Sequence, residues 1–361
     1  MNRYFYYLVL TNMLVNVIAF VPRVLIRERY QGTVMAIVIC AAIETLLMYL
    51  FINSVKHFPR KGTPEIFAQL FPGWLKNGLL FYLSFTWYCA GVITMLAFTD
   101  FSRKFLNPHM SHTGIIILYL TIVVLVCVLP SDRILYLLEI LLVLSVPLIF
   151  FLLTKSFFNK SMNWDNVKAV AMYYNKVPAW TTISAGTYIF SGYFNIAIFN
   201  RAFDQLKSKH LWLAPLLGVT IMVTTISIPV GFLGSDAVGD YVFPWVSTAD
   251  AMRIELGFIE RVMFIFVFLY GLIAFASMIF HWHVSFELLK GILPLTRYSS
   301  RRRKGILYGC LAVYCASVLW SGYFMNDVRL FKWGELWLNI RLPSEMLFVG
   351  IMVYAARRLK N

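Results

Sequence analysis

Residues 179–201 read AWTTISAGTYIFSGYFNIAIFNR, a stretch that is long and apolar enough to cross a membrane as a helix. Small residues also occur at ordinary helix contacts, so the stretch is either a packing surface or an interrupted helix. An interruption inside a bilayer leaves backbone groups without partners, which is tolerated only around a polar cavity or a bound solute. We favour the interruption because the middle of the stretch holds Ser184, Gly186, Thr187, Ser191, Gly192 and Asn195.

The first apolar stretch, residues 5–26, carries a similar polar interruption. Asn12 and Asn16 lie one helical turn apart and therefore on one face of a helix, and Pro22 follows them. A helix N-terminus freed by a break suits a carboxylate, and freed carbonyl groups suit an ammonium group. Two such breaks side by side would therefore form a site for an amino acid.

Apolar runs of about 20 residues, the length that crosses a bilayer as a helix, recur along the whole chain. The two interrupted runs are the first and the sixth of ten, which are corresponding positions in two five-helix halves, residues 1–157 and 179–357. Interrupted helices at matching positions indicate an inverted-repeat transporter fold. We therefore expect one all-α transmembrane domain over residues 1–361, with spans near 5–26, 33–55, 76–101, 113–130, 134–157, 179–201, 211–233, 259–285, 305–324 and 340–357.

Shorter features complete this prediction. Three segments, near residues 61–70, 246–256 and 331–338, are expected to lie along the membrane surface. Gly305 and Gly309 begin a stripe of small residues in span nine, which predicts close packing against another helix of this chain or of a partner.

The composition supports a membrane protein. Hydrophobic residues make up 60% of the chain and charged residues only 14%, whereas a soluble domain has about 25% charged residues. The net charge of +15 would suggest nucleic acid in a soluble protein. Here the basic residues lie mostly in short loops, so topology and phospholipid headgroups explain them better, and we expect no nucleic acid partner.

The distribution of charge predicts an orientation. Ten spans place both termini on one side, and the positive-inside rule assigns the basic loop 290–304 to the cytoplasm, so both termini are expected there. The loop is mainly a topology anchor, and a site for anionic lipid is the sharper alternative. Most acidic residues, including Asp236, Asp327 and Glu345, are assigned to outer loops.

Two carboxylates stand out within apolar runs. A charge at the bilayer centre costs about 2.5–3.5 kcal/mol on insertion scales, so such groups are usually functional or paired. Glu44 lies near the middle of span two, where a proton-carrying or ligand-contacting role and a structural hydrogen bond are both open. Glu139 lies near the end of its helix and could simply reach the interface.

Other reactive residues predict no metal or catalytic site. His281 and His283 are two positions apart on a helix and so point to nearly opposite sides. The five cysteines lie within apolar runs without metal-ligand spacing. Phosphate-binding, dinucleotide-binding, nucleophile-elbow and zinc-peptidase signatures are not present, so we expect neither an enzyme nor a cofactor.

Several local patterns, in order along the chain, point to one family. The first closes span one, the next two lie between spans two and three, and the others precede spans four, five and eight. They are Phe20-Val21-Pro22, His57-Phe58-Pro59-Arg60-Lys61, Leu70-Phe71-Pro72-Gly73-Trp74, Leu106-Asn107-Pro108, Asp132-Arg133 and Val242-Phe243-Pro244.

Together these patterns resemble the spore germination B-subunit family, a branch of the amino acid–polyamine–organocation transporters. The resemblance implies a ten-helix fold of the leucine-transporter type, with broken helices one and six. It also implies a role in sensing nutrient germinants, such as an amino acid, at the inner membrane of a bacterial spore. In that family the partners are a larger membrane A subunit and a C-subunit lipoprotein.

The resemblance completes the candidate site. The broken spans supply one set of ligand residues, and spans three and eight, which flank them in this fold, supply the other. The departures concern the ligand: span one reads Met13-Leu14-Val15-Asn16 in place of Gly-Ser, and span six lacks the family's carboxylate after Gly192. The expected ligand residues are Asn12, Asn16, Tyr88, Thr94, Thr187, Ser191, Gly192, Asn195, Tyr270 and Ser277.

Three functions follow from this sequence. The leading one is a germinant-receptor subunit that binds an amino acid or similar solute. The alternative is a proton-coupled amino acid permease, motivated by Glu44 and Glu139. A third is a membrane scaffold whose cavity no longer binds a solute.

Overall fold

The computed structural model describes residues 3–18, 20–206, 210–256 and 259–359. These residues are almost entirely helical, apart from a short antiparallel hairpin of strands β1 (Arg253–Leu256) and β2 (Ile259–Arg261). The helices are α1 (Arg3–Asn16), α2 (Phe20–Arg27), α3 (Thr33–Val55), α4 (Thr63–Leu70), α5 (Gly73–Phe105), α6 (His112–Cys127), α7 (Ser131–Phe157), α8 (Trp164–Ala171), α9 (Trp180–Phe190), α10 (Ile196–Phe199), α11 (Leu213–Leu233), α12 (Pro244–Ala251), α13 (Val262–Lys290), α14 (Ser300–Phe324) and α15 (Asp327–Leu359).

The helix lengths confirm a multi-pass membrane protein. Within the described ranges, seven helices are long and apolar enough to cross a bilayer, namely α3, α5, α7, α11, α13, α14 and α15. The pair α1–α2 forms an eighth span if its 56° bend is counted as one interrupted helix. The predicted fourth span is the 16-residue α6, and the predicted sixth span is divided into short helical pieces. The ten-span arrangement therefore stays a prediction.

Both expected interruptions occur, but in different forms. In the first span, α1 ends at Asn16 and α2 begins at Phe20, with the two axes inclined to each other. In the sixth, α9 ends at Phe190 and continues as a tighter 3₁₀ turn, Ser191–Asn195, before α10. A 3₁₀ turn keeps i→i+3 hydrogen bonds, so the sixth segment is tightened rather than unwound.

Of the three predicted surface elements, one is a separate helix and two need correction. The segment 61–70 contains helix α4, at whose start the Glu65 carboxylate accepts a hydrogen bond from the Gly62 amide at 2.7 Å. The segment 246–256 is helical only to Ala251 and then becomes strand β1. The segment 331–338 is not a separate element, because α15 runs through it without a break.

The centre of the bundle is formed by α1, α9, α5 and α13. Nearly every residue of α13 from 276 to 288 is buried, and α13 packs along α5. Helix α14 is peripheral, and a Cβ at Gly305 or Gly309 would meet no other described group within 4 Å. Gly305 and Gly309 therefore contact no other helix among the residues that the structure describes, and packing of the stripe against a partner stays a prediction.

Candidate functional site

The 3₁₀ turn of the sixth segment lies directly against α1. A Cβ at Gly192 would lie 2.6 Å from the Cα of Val9 and 2.8 Å from the carbonyl oxygen of Leu8. Only glycine allows two backbones to approach this closely. Gly192 therefore fixes the contact between the two interrupted segments and leaves no space for a ligand at its own position.

Asn12 joins the same two segments by hydrogen bonds. Its Nδ2 donates to the carbonyl oxygen of Tyr188 at 2.7 Å and lies 3.5 Å from the Ser191 hydroxyl. The same carbonyl, in the last turn of α9, also accepts from the backbone N–H and the hydroxyl of Ser191. The amide of Asn12 thus adds a donor from α1 to the carbonyl at the interruption, in the centre of the bundle.

A small cavity of about 30 Å³ opens beside this contact. Its volume suits one or two water molecules and is too small for an amino acid in this conformation. The walls combine polar and aromatic groups from α1, α5, α9, the 3₁₀ turn, α13 and α15. They are Asn12, Leu83, Thr86, Trp87, Ala90, Tyr188, Ser191, Phe194, Asn195, His281, Trp337, Arg341 and Ser344.

Trp87 and Asn195 hold one wall of the cavity in place. The indole Nε1 of Trp87 donates to Asn195 Oδ1 at 2.8 Å, and Asn195 Nδ2 donates to the Gly192 carbonyl at 3.1 Å. The Trp87 ring also stacks on Phe194, with ring centroids 4.8 Å apart. Span three is thereby fixed to the tightened turn of span six.

Arg341 is a buried cation on the opposite side of the cavity. Its Nη2 donates to the Ser184 carbonyl at 2.9 Å and to the Thr187 hydroxyl, both in α9. The guanidinium also lies over the ring of Tyr188, 5.2 Å from the centroid. A guanidinium at this position could bind a solute carboxylate if the cavity enlarged.

Two buried carboxylates lie next to Arg341. Glu345, one turn further along α15, pairs with Arg341 Nη1, and Glu44 Oε1 of α3 lies 3.8 Å from the same nitrogen. Glu44 and Glu345 are 1% and 0% exposed. The assignment of Glu345 to an outer loop is therefore wrong, because α15 is a continuous helix that carries this residue into the centre of the bundle.

The structure brings together only part of the predicted ligand set. Asn12, Ser191 and Asn195 line the cavity, and Thr187 is bonded to Arg341 at its edge. Gly192 packs against α1, and Asn16 donates to the Asn12 carbonyl one turn away from the cavity. That these residues bind a solute stays a prediction.

The four predicted residues from spans three and eight lie elsewhere. The hydroxyl of Tyr88 donates to the Tyr314 carbonyl at 3.1 Å and so faces α14. Thr94 bonds within its own helix to the Ala90 carbonyl. Tyr270 lines a separate, mainly apolar cavity of about 70 Å³, and Ser277 contacts the ring of His281. In this conformation none of the four reaches the central cavity.

Residues that the sequence analysis did not select form much of the wall. Trp87 is adjacent to the predicted ligand residue Tyr88, and His281 lies one helical turn after Ser277. The sequence contains no signal that favours either residue over its neighbour. Arg341 carried a usable signal, because a charge inside an apolar span is rarely accidental. Its partner Glu345 at i+4 strengthens that signal, since residues four apart lie on one helix face.

Glu139, His281 and His283 each have hydrogen-bond or ion-pair partners within the bundle. The Glu139 carboxylate pairs with Arg3 at 3.1 Å and accepts from the Tyr4 hydroxyl at 3.0 Å, and its side chain is 21% exposed. His283 Nδ1 contacts the Cys127 carbonyl at 2.9 Å, and its Nε2 contacts the Ser131 hydroxyl at 2.8 Å. His281 contacts the Ser277 carbonyl at 2.8 Å and the Tyr188 hydroxyl at 3.4 Å.

One end of the sixth segment is fixed by an ion cluster remote from the cavity. Arg201 Nη2 lies 2.6 Å from Glu65 Oε1, and Arg201 Nη1 lies 2.7 Å from Glu287 Oε2. Glu287 also pairs with Lys290 at 2.5 Å. These residues, called here the Arg201 cluster, join the end of span six to α4 and to the end of α13.

The comparison with known proteins agrees with this architecture. Residues 3–319 match the family described as "Spore germination protein". The chain belongs to the spore germination protein family. No curated relative matches it.

Membership of the spore germination protein family confirms the resemblance drawn from the local motifs. The matched range contains both interrupted segments and most of the cavity wall. Arg341 and Glu345 lie beyond it, in the last helix. The protein is therefore a multi-pass membrane protein of a germination family, with a small cavity lined by polar and aromatic residues at the junction of its interrupted segments.

Proposed function

We propose that the protein is the membrane subunit of a nutrient-germinant receptor, which senses an amino acid or similar small solute in the central cavity. The observation that carries this proposal is the meeting of Asn12, Ser191 and Asn195 with the buried cation Arg341 around one cavity. Polar side chains converging in an otherwise apolar bundle are typical of solute sites. The role is one of binding, with no catalytic step.

The size of the cavity implies how sensing would work. At about 30 Å³ it holds no amino acid, so a solute would bind a second conformation in which the cavity is larger. A solute with higher affinity for that conformation shifts the population toward it. Partner A and C subunits, which belong to this proposal, would respond to the shifted population.

The chemistry of the walls suits a zwitterion. Arg341 can pair with a carboxylate through two parallel hydrogen bonds. The aromatic faces of Trp87 and Tyr188 on the walls can attract an ammonium group. Amide and hydroxyl groups from Asn12, Ser191 and Asn195 can serve either end of such a solute.

The first test measures binding and uptake separately. Purified protein in proteoliposomes is given a panel of labelled amino acids, with and without an inward proton gradient. Saturable binding without accumulation supports a receptor, and accumulation that depends on the gradient supports the permease. The absence of saturable binding to every member of the panel would contradict the amino acid site.

A pair of serine variants then locates the site. Ser191→Ala removes a hydroxyl from the cavity wall and should weaken binding of the panel's best amino acid several-fold. Ser156→Ala removes another buried hydroxyl, from α7 and away from the cavity, and should leave binding unchanged. Equal effects of the two substitutions would count against this cavity.

The second candidate, a proton-coupled amino acid permease, has one specific observation in its favour. Glu44 and Glu345 place two carboxylates beside the cation that lines the cavity. Glu44→Gln should abolish gradient-driven accumulation if the protein is a permease. Normal accumulation in that variant would remove the proposed coupling role of Glu44.

A further inference from the structure

Glu44, Arg341 and Glu345 form a buried charge triad that has two acids and one base. The three residues are 1%, 4% and 0% exposed, and they lie on α3 and α15 in the interior of the bundle. If both carboxylates were ionised, the triad would carry a net charge of −1. An uncompensated charge at this depth is strongly unfavourable, and two neighbouring carboxylates disfavour joint ionisation.

No cation other than Arg341 pairs with this triad among the residues that the structure describes. The groups that face Glu44 are Glu345 and Arg341 from α15, Tyr193 from the 3₁₀ turn, and Cys40 from its own helix. Tyr188 faces Arg341 from α9. Tyrosine and cysteine are neutral near pH 7 unless strongly perturbed, so they do not balance the second carboxylate.

Several polar atoms of the triad and its neighbour Tyr193 are buried without a hydrogen-bond partner of normal geometry. Among the described residues they are the acceptors Glu44 Oε1, Glu44 Oε2 and Glu345 Oε1, and the donors Arg341 Nε and the Tyr193 hydroxyl. The gap beside Glu44, lined by residues such as Met13 and Phe190, has a volume of about 0 Å³ and is too small for water. A proton on one carboxyl group would let it donate a hydrogen bond to the other, which neither Arg341 Nε nor the Tyr193 hydroxyl does in this geometry.

We propose that Glu44 and Glu345 together hold one exchangeable proton, which makes the triad neutral. With the proton in place, one carboxylate pairs with Arg341 and the protonated carboxyl donates to its neighbour. Loss of the proton would leave two carboxylates competing for one guanidinium. The proton therefore determines how strongly the guanidinium of Arg341 pairs with the carboxylates of Glu44 and Glu345.

The triad is positioned to act on the solute site. Arg341 lines the cavity and holds the Ser184 carbonyl and the Thr187 hydroxyl of α9, so a change in its pairing reaches the interrupted segment directly. If a solute carboxylate replaced Glu345 as the partner of Arg341, the unpaired Glu345 carboxylate would bind a proton more readily. Solute binding would then take up a proton and strengthen as the pH falls. This step rests on the proposed function, whereas the proton site does not.

Infrared difference spectroscopy of the solute-free protein in proteoliposomes tests the proton directly. A protonated carboxyl group has a C=O stretching band that shifts in D₂O. We expect the wild-type protein to show this band at neutral pH. Its absence from the wild type would overturn the proposal, whatever any variant does.

Three variants assign the band. Glu44→Gln and Glu345→Gln each leave one carboxylate for Arg341, so each should abolish the band. Glu139→Gln is the matched control, because Glu139 is a carboxylate of the same chain that pairs with Arg3 instead. Persistence of the band in both triad variants, or its loss in Glu139→Gln, would place the proton elsewhere.

Thermal unfolding in detergent gives a second measurement. The wild-type melting temperature should fall as the pH rises above about 5, because the folded triad keeps a proton that the unfolded chain has already released, and it should level off once the folded triad also loses that proton. Glu44→Gln should lose this dependence and Glu139→Gln should keep it. An identical pH dependence in the wild type and Glu44→Gln would contradict the proton site.

The link to the solute is tested with the amino acid that the panel identifies. Its binding to the wild-type protein should strengthen at lower pH, and binding to Glu44→Gln should not depend on pH in the same range. If binding to the wild type is independent of pH, the link fails while the infrared result still decides the proton site. If no amino acid binds, the proposed function is contradicted, and the infrared band alone decides whether the proton site exists.

Discussion

The indole of Trp87 donates a hydrogen bond to the side-chain oxygen of Asn195, with Nε1 and Oδ1 2.8 Å apart. This bond joins span three to the 3₁₀ turn of span six at the wall of the central cavity. Both residues are buried, so neither group can exchange this partner for bulk water. The bond therefore holds the wall in the arrangement seen here.

Trp87→Phe should disturb the cavity without removing the aromatic stack on Phe194. It leaves the Asn195 oxygen buried without its donor, which costs about 1–3 kcal/mol. We expect a lower melting temperature in detergent and a several-fold change in binding of the best amino acid of the panel. Tyr88→Phe is the neighbouring control, since the Tyr88 hydroxyl faces α14, and it should leave binding unchanged. A larger effect on binding from Tyr88→Phe would show that the wall is elsewhere.

Gly192→Ala should separate the two interrupted segments. The added Cβ would overlap the Val9 backbone, which is part of a helix and cannot move as a flexible side chain would. We expect a reduced melting temperature and loss of binding, with the protein still inserted in the membrane. Gly309→Ala is the control: it adds a Cβ in open space on α14 and should leave the melting temperature equal or slightly higher. Wild-type stability and binding in Gly192→Ala would contradict the close contact.

The Arg201 cluster predicts a contrast between a shielded ion pair and an exposed one. Arg201→Gln leaves Glu65 and Glu287 without their shared partner. The Arg201, Glu65 and Glu287 side chains are 27%, 43% and 17% exposed, so the loss should lie between the roughly 3–5 kcal/mol of a buried pair and the loss of about 0–1 kcal/mol at an exposed one. Arg60→Gln is the control, because Arg60 and Asp204 pair at the exposed surface, where such pairs contribute about 0–1 kcal/mol. Arg201→Gln should lower the melting temperature clearly and Arg60→Gln hardly at all. Equal losses would show that the cluster does not hold span six.

The membrane-spanning segments could be predicted because their signal is local. A run of about 20 apolar residues is sufficient to identify a span, and polar or small residues such as Asn16 and Gly192 marked both interruptions. The family followed from motifs that keep their order along the chain. None of these inferences requires knowledge of how the helices are rotated.

The walls of the cavity could not be predicted in the same way, since they depend on rotation about each helix axis. Tyr88 and Trp87 are adjacent, yet Trp87 faces the cavity and Tyr88 faces α14. Glu345 was assigned to the outer loops together with most other acidic residues, although it lies within the predicted span 340–357. The pairing of Glu345 with Arg341 is local, but the approach of Glu44 joins residues about 300 positions apart in the chain, and no local pattern predicts that contact.

The orientation of the chain gives the last prediction, since it decides which side of the cavity is closed. The Arg201 cluster includes Lys290, the first residue of the basic loop 290–304, which the positive-inside rule assigns to the cytoplasm. The cluster would then secure span six on the cytoplasmic side, and a solute would reach the cavity from the opposite side.

Labelling of introduced cysteines tests this orientation in intact cells. Arg60→Cys lies at the end of the bundle that holds the cluster, and Asp165→Cys lies at the start of α8, beyond the far end of α7. Both side chains are well exposed, so access to the reagent depends on their side of the membrane rather than on burial. A maleimide that cannot cross membranes should label Asp165→Cys at once and Arg60→Cys only after permeabilisation. The reverse pattern would place the Arg201 cluster outside, so that it closes the cavity against the medium.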